Sequence, residues 1–401
     1  MMRANLDLHI HSKYSKATSN RMDLPTIARE AAKKGIRVVA TGDCLHPRWI
    51  ADVKGLREDK GLFSLEETFF VLTTEVEDSR RAHHLVLVPE ISKVQELREA
   101  FSPHSKDIDS NGRPSLHMTA AEIADAAIEA NCLIGPAHAF TPWTGMYAHY
   151  SSIRDCYGDL ADQISFVELG LSADSDYADK ISELEDKTFL TNSDAHSPWS
   201  NKLGREFNQM EIKEPSFEEL ENAIRRKGGR KSTLNVGFYP EEGKYNRTAC
   251  TRCYKHYTAG EMDARRGRCE CGGRIKLGVR DRVDMLADRA QPEHPDYRPP
   301  YTHLIPLAEI IAMAIGHKSP YTAGVQKRWN ELVKERTEIE VLLYADLSQI
   351  KIEPKVTEAI EAFRSGDVIV KPGGGGKYGE IELPDRIVLQ KKESQKSLFD
   401  F

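Results

Sequence analysis

The sequence lacks the features of a membrane or secreted protein. Its 401 residues include no run of eighteen or more apolar residues, and the opening segment MMRANLDLHIHSKYS has no apolar core of a secretory signal. We therefore expect a cytoplasmic protein with no membrane partner. A positive net charge is also absent, since 56 Lys and Arg residues stand against 62 Asp and Glu residues. This excludes a protein that is evenly basic along its length.

The seven cysteines do not form the pattern of a disulfide framework. Their number is odd, and four of them fall between positions 250 and 271. We interpret the other three, Cys44, Cys132 and Cys156, as small buried thiols.

A nucleotide-binding loop is missing as well. The run Gly373 to Gly376 precedes Lys377, but Tyr378 stands where the Walker pattern GxxxxGK[ST] requires Ser or Thr. The run therefore predicts a flexible loop and not a phosphate cradle.

Up to about position 240, apolar runs alternate with amphipathic stretches, which predicts an α/β fold with a parallel sheet or barrel. Two helices have clear boundaries. Asp23 and Gly35 are placed as the caps of the first, and Thr119 and Glu122 have the spacing of a capping box for the second. The predicted strands are Leu6–His11, Ile36–Thr41, Phe69–Val76, Leu85–Val88, Cys132–Ala137, Ile164–Leu169 and Thr188–Asn192.

Histidines and carboxylates recur at the ends of these strands. His9 and His11 share one face of a strand, and Asp194 and His196 are spaced in the same way. Pairs of this kind at carboxyl ends of strands predict a clustered metal site, although any one histidine alone could be an ordinary buried residue. The further candidates carry no thiolate, which favours zinc, manganese or iron, and they are Asp43, His46, Glu75, His83, His84 and His138.

These motifs resemble the PHP (polymerase and histidinol phosphatase) superfamily. The resemblance is carried by HIH at 9–11, TGDCLH at 41–46, TTE at 73–75, HHLVLV at 83–88, GPAH at 135–138 and SDAH at 193–196. It implies a distorted (β/α)7 barrel with two or three catalytic divalent ions, Zn²⁺, Mg²⁺ or Mn²⁺. It also implies phosphoester hydrolysis by an activated water without a covalent intermediate.

The resemblance also implies a ligand set for each ion. The first has His9, His11, Glu75 and Asp194, which are the residues predicted to be catalytic. The second has Glu75, His138 and one histidine of the 83/84 pair, for which we predict His84. The third has Asp43, His46 and His196, although the usual Thr-Asp-His string is here Asp43-Cys44-Leu45-His46.

The four clustered cysteines predict a second, structural metal site. Cys250-x2-Cys253 and Cys269-x-Cys271 are followed by Gly272-Gly273, which is typical of a four-thiolate zinc ribbon or knuckle. Between positions 244 and 282, eleven Lys and Arg residues stand against four Asp and Glu residues. A basic module with interleaved aromatic residues predicts DNA binding, and a solvated charged face is the alternative. The residues predicted to contact DNA are Arg252, Lys255, Arg265 and Arg266.

Nearly the whole chain resembles the endonuclease Q family of PHP enzymes. Besides the motifs above, the resemblance rests on CTRC…CEC, GPAHAFTPWTG, VELGLSADSDYAD and LTNSDAHSPWSNKLGRE. It implies a DNA repair endonuclease that cuts 5′ to deaminated bases (uracil, hypoxanthine, xanthine) and abasic sites, and a nucleoid-associated location. Extrusion of a mispaired base fits such selectivity. The candidates for the pocket, each of which could also be loop packing, are Tyr14, Arg113, Trp143 and Trp199.

The final segment predicts a partner protein. Apolar anchors follow a polar stretch at the end of the sequence, as in a docking peptide. The segment resembles the sliding-clamp motif Q-x-x-L-x-x-F and the form Q-L-[SD]-L-F, with a frayed terminus as the alternative. The predicted clamp-binding residues are Gln395, Leu398, Phe399 and Phe401.

These observations predict four segments: a catalytic barrel (1–243), a zinc module (244–275), a mainly helical domain (276–390) and a flexible tail (391–401). Two other functions remain open. A small-molecule phosphatase would explain the ligand motifs but gives the zinc module and tail no role. A non-catalytic DNA-binding scaffold would explain the basic module but not the complete set of ligands.

Overall fold

A computed structural model describes residues 1–385 and 387 of the chain, and the fold is mixed α/β. The predicted clamp-binding residues lie outside this described part. Within it, no helix is both long enough and apolar enough to cross a membrane. The strands are β1 (Met2–Asp7), β2 (Val38–Ala40), β3 (Arg57–Asp59), β4 (Leu62–Leu65), β5 (Thr68–Glu77), β6 (His83–Val88), β7 (Leu133–Pro136), β8 (Phe166–Glu168), β9 (Thr188–Leu190), β10 (Phe207–Ile212), β11 (Lys231–Gly237), β12 (Ala249–Cys250), β13 (Ile275–Lys276), β14 (Tyr301–His303), β15 (Ile369–Lys371) and β16 (Glu380–Glu382).

The helices lie mostly between these strands. They are α1 (Leu24–Lys34), α2 (Pro47–Lys54), α3 (Ile91–Phe101), α4 (Ala120–Glu129), α5 (Met146–His149), α6 (Ile153–Tyr157), α7 (Ser175–Ala178), α8 (Phe217–Ile224), α9 (Ala259–Ala264), α10 (Val279–Leu286), α11 (Leu307–Ala314), α12 (Ala323–Leu332) and α13 (Pro354–Ser365). The caps predicted for two of them are confirmed. The Asp23 carboxylate accepts from the Thr26 N–H and Gly35 ends α1 at φ 89°, while Thr119 and Glu122 form the capping box of α4.

The main sheet is mixed and not wholly parallel, which corrects part of the prediction. Its path is β14-β11-β10-β1-β2-β5-β4-β3, with β6 and β7 continuing from β5. β1, β2 and β5 are parallel, whereas β10 runs antiparallel to β1 and β6 runs antiparallel to both β5 and β7. A short turn after Glu77 folds the chain straight back, so no crossover helix is available to make β6 parallel.

The hairpin of β5 and β6 has a direct consequence for the histidines. Glu75 pairs with Leu85 and Glu77 pairs with His83, so the start of β6 lies beside the end of β5. A histidine pair that opens a strand is thereby brought to the edge where the other strands end.

Backbone hydrogen bonds connect the end of β7 to β8, and the segment after β9 to the end of β1. The Ala139 N–H donates to the Glu168 carbonyl at 2.8 Å, β8 pairs in parallel with β9, and the Asp194 N–H donates to the His9 carbonyl at 2.9 Å. The segment after β9 therefore returns to the end of β1. All seven predicted strands are present. β2, β7, β8 and β9 are shorter than predicted, whereas β5 and β6 are longer.

The segment from Tyr301 onward packs on the same core as the N-terminal half. β14 pairs with β11, and α11 to α13 share one cluster of buried apolar residues with α1 and α2. Lys34 of α1, which is almost fully buried, forms a 2.7 Å ion pair with buried Glu338. Glu338 also accepts from the Trp329 indole N–H at 2.6 Å.

The glycine run at 373–376 is not a free loop, which corrects that prediction. It lies against the cysteine-containing segment, where the Arg247 N–H donates to the Gly373 carbonyl at 3.0 Å and the Gly376 N–H donates to the Lys244 carbonyl at 2.9 Å. A Cβ at Gly375, where φ is 64°, would collide with the Cys250 carbonyl oxygen. Glycine is needed there because two backbones meet without room for a side chain.

Candidate active site

Histidine and carboxylate side chains converge where β1, β5, β7 and β9 end. Three of the residues concerned hold the left-handed backbone conformation, with φ of 51° at Asp43, 29° at His138 and 46° at Asp194. Non-glycine residues rarely adopt this conformation, and such strain concentrates at functional sites. The chain therefore turns sharply as it leaves these strands, which aims the side chains at a common point.

The first of two ligand groups in this cluster consists of His9, His11 and Asp194. His11 Nε2 lies 3.2 Å from Asp194 Oδ1, and His9 Nε2 lies 3.9 Å from the same oxygen. Both imidazoles are buried, whereas the Asp194 side chain is partly open to solvent. The His9 and His11 pair predicted from i, i+2 spacing therefore meets Asp194 of the second pair, whereas His196 is not part of this group.

The second ligand group consists of Glu75, His83 and His138. Glu75 Oε1 lies 2.7 Å from His83 Nδ1 and 2.8 Å from His138 Nε2. The other carboxylate oxygen, Oε2, lies 3.2 Å from His11 Nε2 of the first group. Glu75 thus touches both groups, as expected of a carboxylate that bridges two ions.

The residues present fit a metal centre. His9 Nε2, His11 Nε2 and Asp194 Oδ1 are buried, and none of them has a hydrogen-bond partner within the described part of the chain. Buried polar atoms without partners are costly unless a metal ion or water satisfies them. An all-nitrogen and oxygen donor set suits zinc or manganese, so these residues can hold the divalent ions that the motifs predict.

Two carboxylates behind the ligands fix the orientation of the imidazoles. Glu168 bonds to His9 Nδ1 at 2.9 Å and accepts from the His138 N–H at 2.7 Å. Asp43 bonds to His11 Nδ1 at 3.1 Å and accepts from the Ser12 N–H at 2.6 Å. Each ring therefore presents Nε2 to the cluster, an arrangement that is typical of metal-bound histidine.

Sequence reasoning missed Glu168 and Asp7. Asp7 accepts from the Ser193 N–H at 3.0 Å and the Gly204 N–H at 3.0 Å, and so holds the loop that carries Asp194. Burial raises the pKa of Asp7 to about 6, against the lowering effect of these hydrogen bonds. Each carboxylate ends a strand and is flanked in the sequence by apolar residues, as in Leu6-Asp7-Leu8 and Val167-Glu168-Leu169, and a charged residue within such a run was the available signal.

The choice of His84 as a ligand is corrected by the structure. Alternate side chains of a strand point to opposite faces, and in β6 it is His83 that faces Glu75. His84 points away from the cluster, where its Nδ1 lies 2.7 Å from the Tyr157 hydroxyl and its Nε2 lies 3.4 Å from Asp78.

The ligand set expected for a third ion is not assembled. Among the described residues, Asp43, His46 and His196 do not form a group with ligand atoms within 4.8 Å of one another. Asp43 is engaged by His11 and Ser12, and the His46 ring stacks on Tyr14 with centroids 4.3 Å apart. His196 lies beside the first group, with its ring 4.4 Å from that of His11.

The cluster balances buried negative and positive charge. Burial alone would raise the pKa of Glu75, but His83, His11 and His138 hold it well below its ordinary value. Burial would lower the pKa of His9, whereas Glu168, Glu75 and Asp194 raise it to about 9. The buried carboxylates thus favour positive charge at the cluster, which a bound divalent ion would supply.

The four residues predicted to form a lesion pocket lie in different surroundings. Arg113 reaches the cluster, with Nη1 3.2 Å from Glu75 Oε2. The Tyr14 ring stacks on the His46 ring, whereas Trp143 and Trp199 are 49% and 44% exposed.

A cavity of about 320 Å³ opens beside the cluster. Its lining includes His138, Glu168 and Asp194 from the cluster and, from other segments, Trp143, Tyr245 and Tyr378. Tyr245 and Tyr378 were missed because they lie far from the ligand motifs along the chain. The glycine run and the cysteine-containing segment bring them together.

The four cysteines predicted to bind zinc also form a group. The Sγ atoms of Cys250 and Cys271 are 3.5 Å apart, as are those of Cys253 and Cys269, and all four lie within 4.8 Å of one another. A hydrogen bond from the Tyr257 hydroxyl lowers the pKa of Cys269 to about 6, which favours the thiolate. The group fits a tetrahedral Zn²⁺ site. The basic residues predicted to bind DNA, Arg252, Lys255, Arg265 and Arg266, are all exposed around it.

Comparisons with known proteins identify relatives of this chain. A family model of the MJ0043 C-terminal domain matches residues 306–367. The uncharacterized protein MJ0043 of Methanocaldococcus jannaschii is 46% identical over 263 residues, which are 63% of this chain and 32% of MJ0043. The chain therefore spans about a third of that relative's length.

Two solved structures match almost the full chain. One is the lesion-specific endonuclease PfuEndoQ from Pyrococcus furiosus, 48% identical with a TM-score of 0.93 over 99% of each chain. The chain belongs to the endonuclease Q family. A second endonuclease Q, in complex with a 27-mer duplex substrate with an abasic lesion at the active site, is 49% identical with a TM-score of 0.90, covering 96% of this chain and 98% of that one.

Membership in the endonuclease Q family confirms the family resemblance predicted from the motifs. It also confirms, at the level of the family, the prediction of an enzyme of the endonuclease class. In this member of the endonuclease Q family, the residues at the cluster are those that the sequence motifs contributed, with His83 in place of His84.

Proposed function

We propose that the protein is a DNA repair endonuclease that hydrolyses the phosphodiester 5′ to deaminated bases (uracil, hypoxanthine, xanthine) and to abasic sites. One observation carries the proposal. Glu75 contacts both ligand groups, and one member of each group, Asp194 and His138, lines a cavity that is also lined by aromatic side chains and Lys244. That is the arrangement required for two-ion cleavage of a nucleic acid.

Each group of residues has a role in this proposal. His9, His11 and Asp194 would hold one divalent ion, His83 and His138 would hold a second, and Glu75, which contacts both groups, would contribute to both. When bound, the ions activate a water molecule and stabilise the charge on the phosphate oxygens. Arg113, next to Glu75, is placed to bind a phosphate oxygen, because its guanidinium is partly exposed and always charged. Glu168 and Asp43 keep the imidazoles in place.

The substrate assignment is supported by the relatives. PfuEndoQ is lesion-specific, and the second endonuclease Q was solved with a duplex containing an abasic lesion. The exposed basic residues around the four cysteines supply a surface that fits the phosphates of a duplex. A phosphatase for small substrates would leave that surface without a role.

We also infer the organisation of the chain. The continuous hydrogen bonding from β1 through β9 and back to His9 supports a distorted (β/α)7 barrel over residues 1–243. Residues 244–275 would form a Zn²⁺ module and residues 276–390 a mainly helical domain. The sliding-clamp motif of the tail (391–401) remains a prediction, which binding of a clamp to the full chain and to a chain without the tail would test.

Incubation of the full chain with 5′-labelled duplexes tests the function. Each duplex carries one deoxyuridine, one deoxyinosine or one abasic site, and Mg²⁺ or Mn²⁺ is supplied. We expect one incision 5′ to the lesion, no incision of the undamaged duplex, and no product with Asp194→Ala. Absence of incision on all three lesions by the wild-type protein would refute the proposal.

A further inference from the structure

Trp143 combines an exposed side chain with a strained backbone. Its φ is 80°, a conformation that bulky residues rarely adopt, yet its indole is 49% exposed. The loop around it is fixed, since the Trp143 carbonyl accepts from the His149 ring at 2.7 Å and the Thr144 carbonyl accepts from the His83 N–H at 2.9 Å. β6, which carries the candidate ligand His83, therefore helps to hold this loop in its strained conformation. Backbone strain that the surrounding structure maintains is typical of functional sites, which points to a functional role for the indole.

Neighbouring side chains hold the indole in one orientation. Lys276 Nζ lies 4.3 Å from the centroid of the indole ring, and Tyr245 packs edge-on with ring centroids 5.9 Å apart. Lys244 in turn lies 5.6 Å from the Tyr245 ring and 5.7 Å from the Tyr378 ring. Aromatic rings with interspersed cations are the surface on which unpaired nucleobases stack.

Trp143 also lines two adjoining cavities. The cavity beside the metal cluster measures about 320 Å³, and the second measures about 490 Å³. Both are lined by Trp143, Tyr245 and Val279. The second cavity is otherwise mostly apolar and aromatic, with Phe140 and Tyr147 in its lining and Arg282 at its edge. Each has the size of a small-ligand site, for which roughly 300–1,000 Å³ is usual.

The two cavities share Trp143 in their linings, so two nucleobases that occupy them at once must lie close together. Consecutive bases of a strand lie about 3.4 Å apart, and one aromatic ring between them roughly doubles that separation. The base opposite the lesion belongs to the other strand, across the helix. Neighbouring nucleotides of one strand therefore match the spacing of the cavities better than two bases of a pair.

We propose that the 490 Å³ cavity binds a second, unpaired nucleobase, that of a nucleotide flanking the lesion in the cut strand, with Trp143 standing between it and the lesion. This inference rests on the proposed function. It accounts for a site that accepts both damaged bases and abasic sugars, because stacking of a normal neighbouring base supplies binding that does not depend on the lesion.

Ala148→Phe tests the second cavity without changing the cluster. Ala148 lines only the 490 Å³ cavity and is exposed on α5, so a larger side chain fills that space. Ala100→Phe, on the exposed face of α3 and outside both cavities, is the matched control. Single-turnover incision is measured on a deoxyuridine duplex and on three versions that lack one more base: the 5′ neighbour, the 3′ neighbour, or the base opposite the lesion.

The inference predicts that Ala148→Phe lowers incision efficiency on the intact duplex roughly 5- to 100-fold, as expected for one stacked base. Removal of one flanking base should cost wild type a similar factor, and Ala148→Phe should cost nothing further on that substrate. Rate equality on that substrate also shows that the variant is folded. The inference would be overturned if the losses caused by Ala148→Phe and by base removal multiplied at both flanking positions. It would also be overturned if these two losses failed to multiply only when the removed base is the one opposite the lesion. An inactive wild type would instead refute the proposed function.

Discussion

The two candidate metal sites of the chain are supported in different ways. In the cluster at the strand ends, His9, His11, Glu75, His83 and His138 are nearly or fully buried, and carboxylates and backbone groups of the main core hold them. In the cysteine site, two of the four thiols are exposed. The buried apolar residues around that site form a small cluster of Cys250, Tyr257, Cys269 and Ile275.

This difference indicates where folding depends on metal. The cluster is built on a large core that supplies most of its stability, so it should keep its shape without ions. The cysteine segment has too little apolar surface to pay for its own ordering, and small modules of this kind fold with their metal. We therefore expect one metal site that the fold builds and a second site whose local fold depends on its metal.

The largest effect is expected at the residue that joins the two ligand groups. Glu75→Gln keeps the shape of the side chain but removes the charge that bridges the ions, so incision should fall about 10³-fold or more. Thermal unfolding is measured alongside, because Gln leaves His83 and Arg113 without their buried charged partner and should also lower the stability of the metal-free protein. Incision rates and bound-metal content check this. A variant that retains both divalent ions and a rate within tenfold of wild type would contradict the bridging role.

The reverse pattern is expected at the cysteine site. Cys269→Ser should release zinc and unfold residues 249–276, with rapid amide hydrogen exchange confined to that segment. DNA affinity should fall about tenfold or more because the basic residues lose their fixed arrangement. Cys156→Ser, at a buried thiol outside the site, is the control. If amide hydrogen exchange in residues 249–276 stayed the same after zinc loss, the cysteine segment would not depend on metal for its fold, and the proposed difference between the two sites would be wrong.

The assignment of His83 over His84 gives a smaller effect that tests the geometry of β6. His83→Gln should weaken metal binding and incision by about 10- to 100-fold, a magnitude typical when a contact that tunes a metal site is lost. His84→Gln should change incision by less than about threefold, because its ring faces Asp78 and Tyr157. The two variants are compared by metal titration and incision. Equal losses would show that both histidines serve the cluster.

The smallest effect concerns stability and pH beneath the cluster. Burial raises the pKa of Glu206 to about 8, from an ordinary value of 4.5. Between these values Glu206 is protonated in the folded state and ionised in the unfolded state. The contribution of protonated Glu206 to the free energy of unfolding is therefore complete below pH 4.5 and is lost as pH rises through 8.

Glu206→Gln stays neutral at every pH and should remove that loss. In wild type, the loss can reach about 1.4 kcal/mol of unfolding free energy for each pH unit. Urea unfolding of both proteins at pH 6.5 and pH 8 measures it, and the stability gap should widen at the higher pH. A stability difference between the two proteins that is the same at both pH values would mean that Glu206 is ionised in the folded protein.

The sequence alone determined the local structure and the chemical nature of both sites. Caps at Asp23 and Thr119 are read from neighbouring residues, and seven strands follow from runs of apolar residues. The ligand types of both sites are likewise visible as short motifs. These features depend on residues close together in the chain, so their spacing carries the information.

Tertiary structure decided which residues meet. His83 replaces His84 because an antiparallel β6 sets which face each side chain takes, and sequence spacing does not reveal strand direction. Glu168 supports His9 from 159 positions away, and Tyr245 and Tyr378 reach the cavity because the glycine run packs on the cysteine segment. Contacts between distant residues depend on how strands pair and loops pack, which no local pattern specifies.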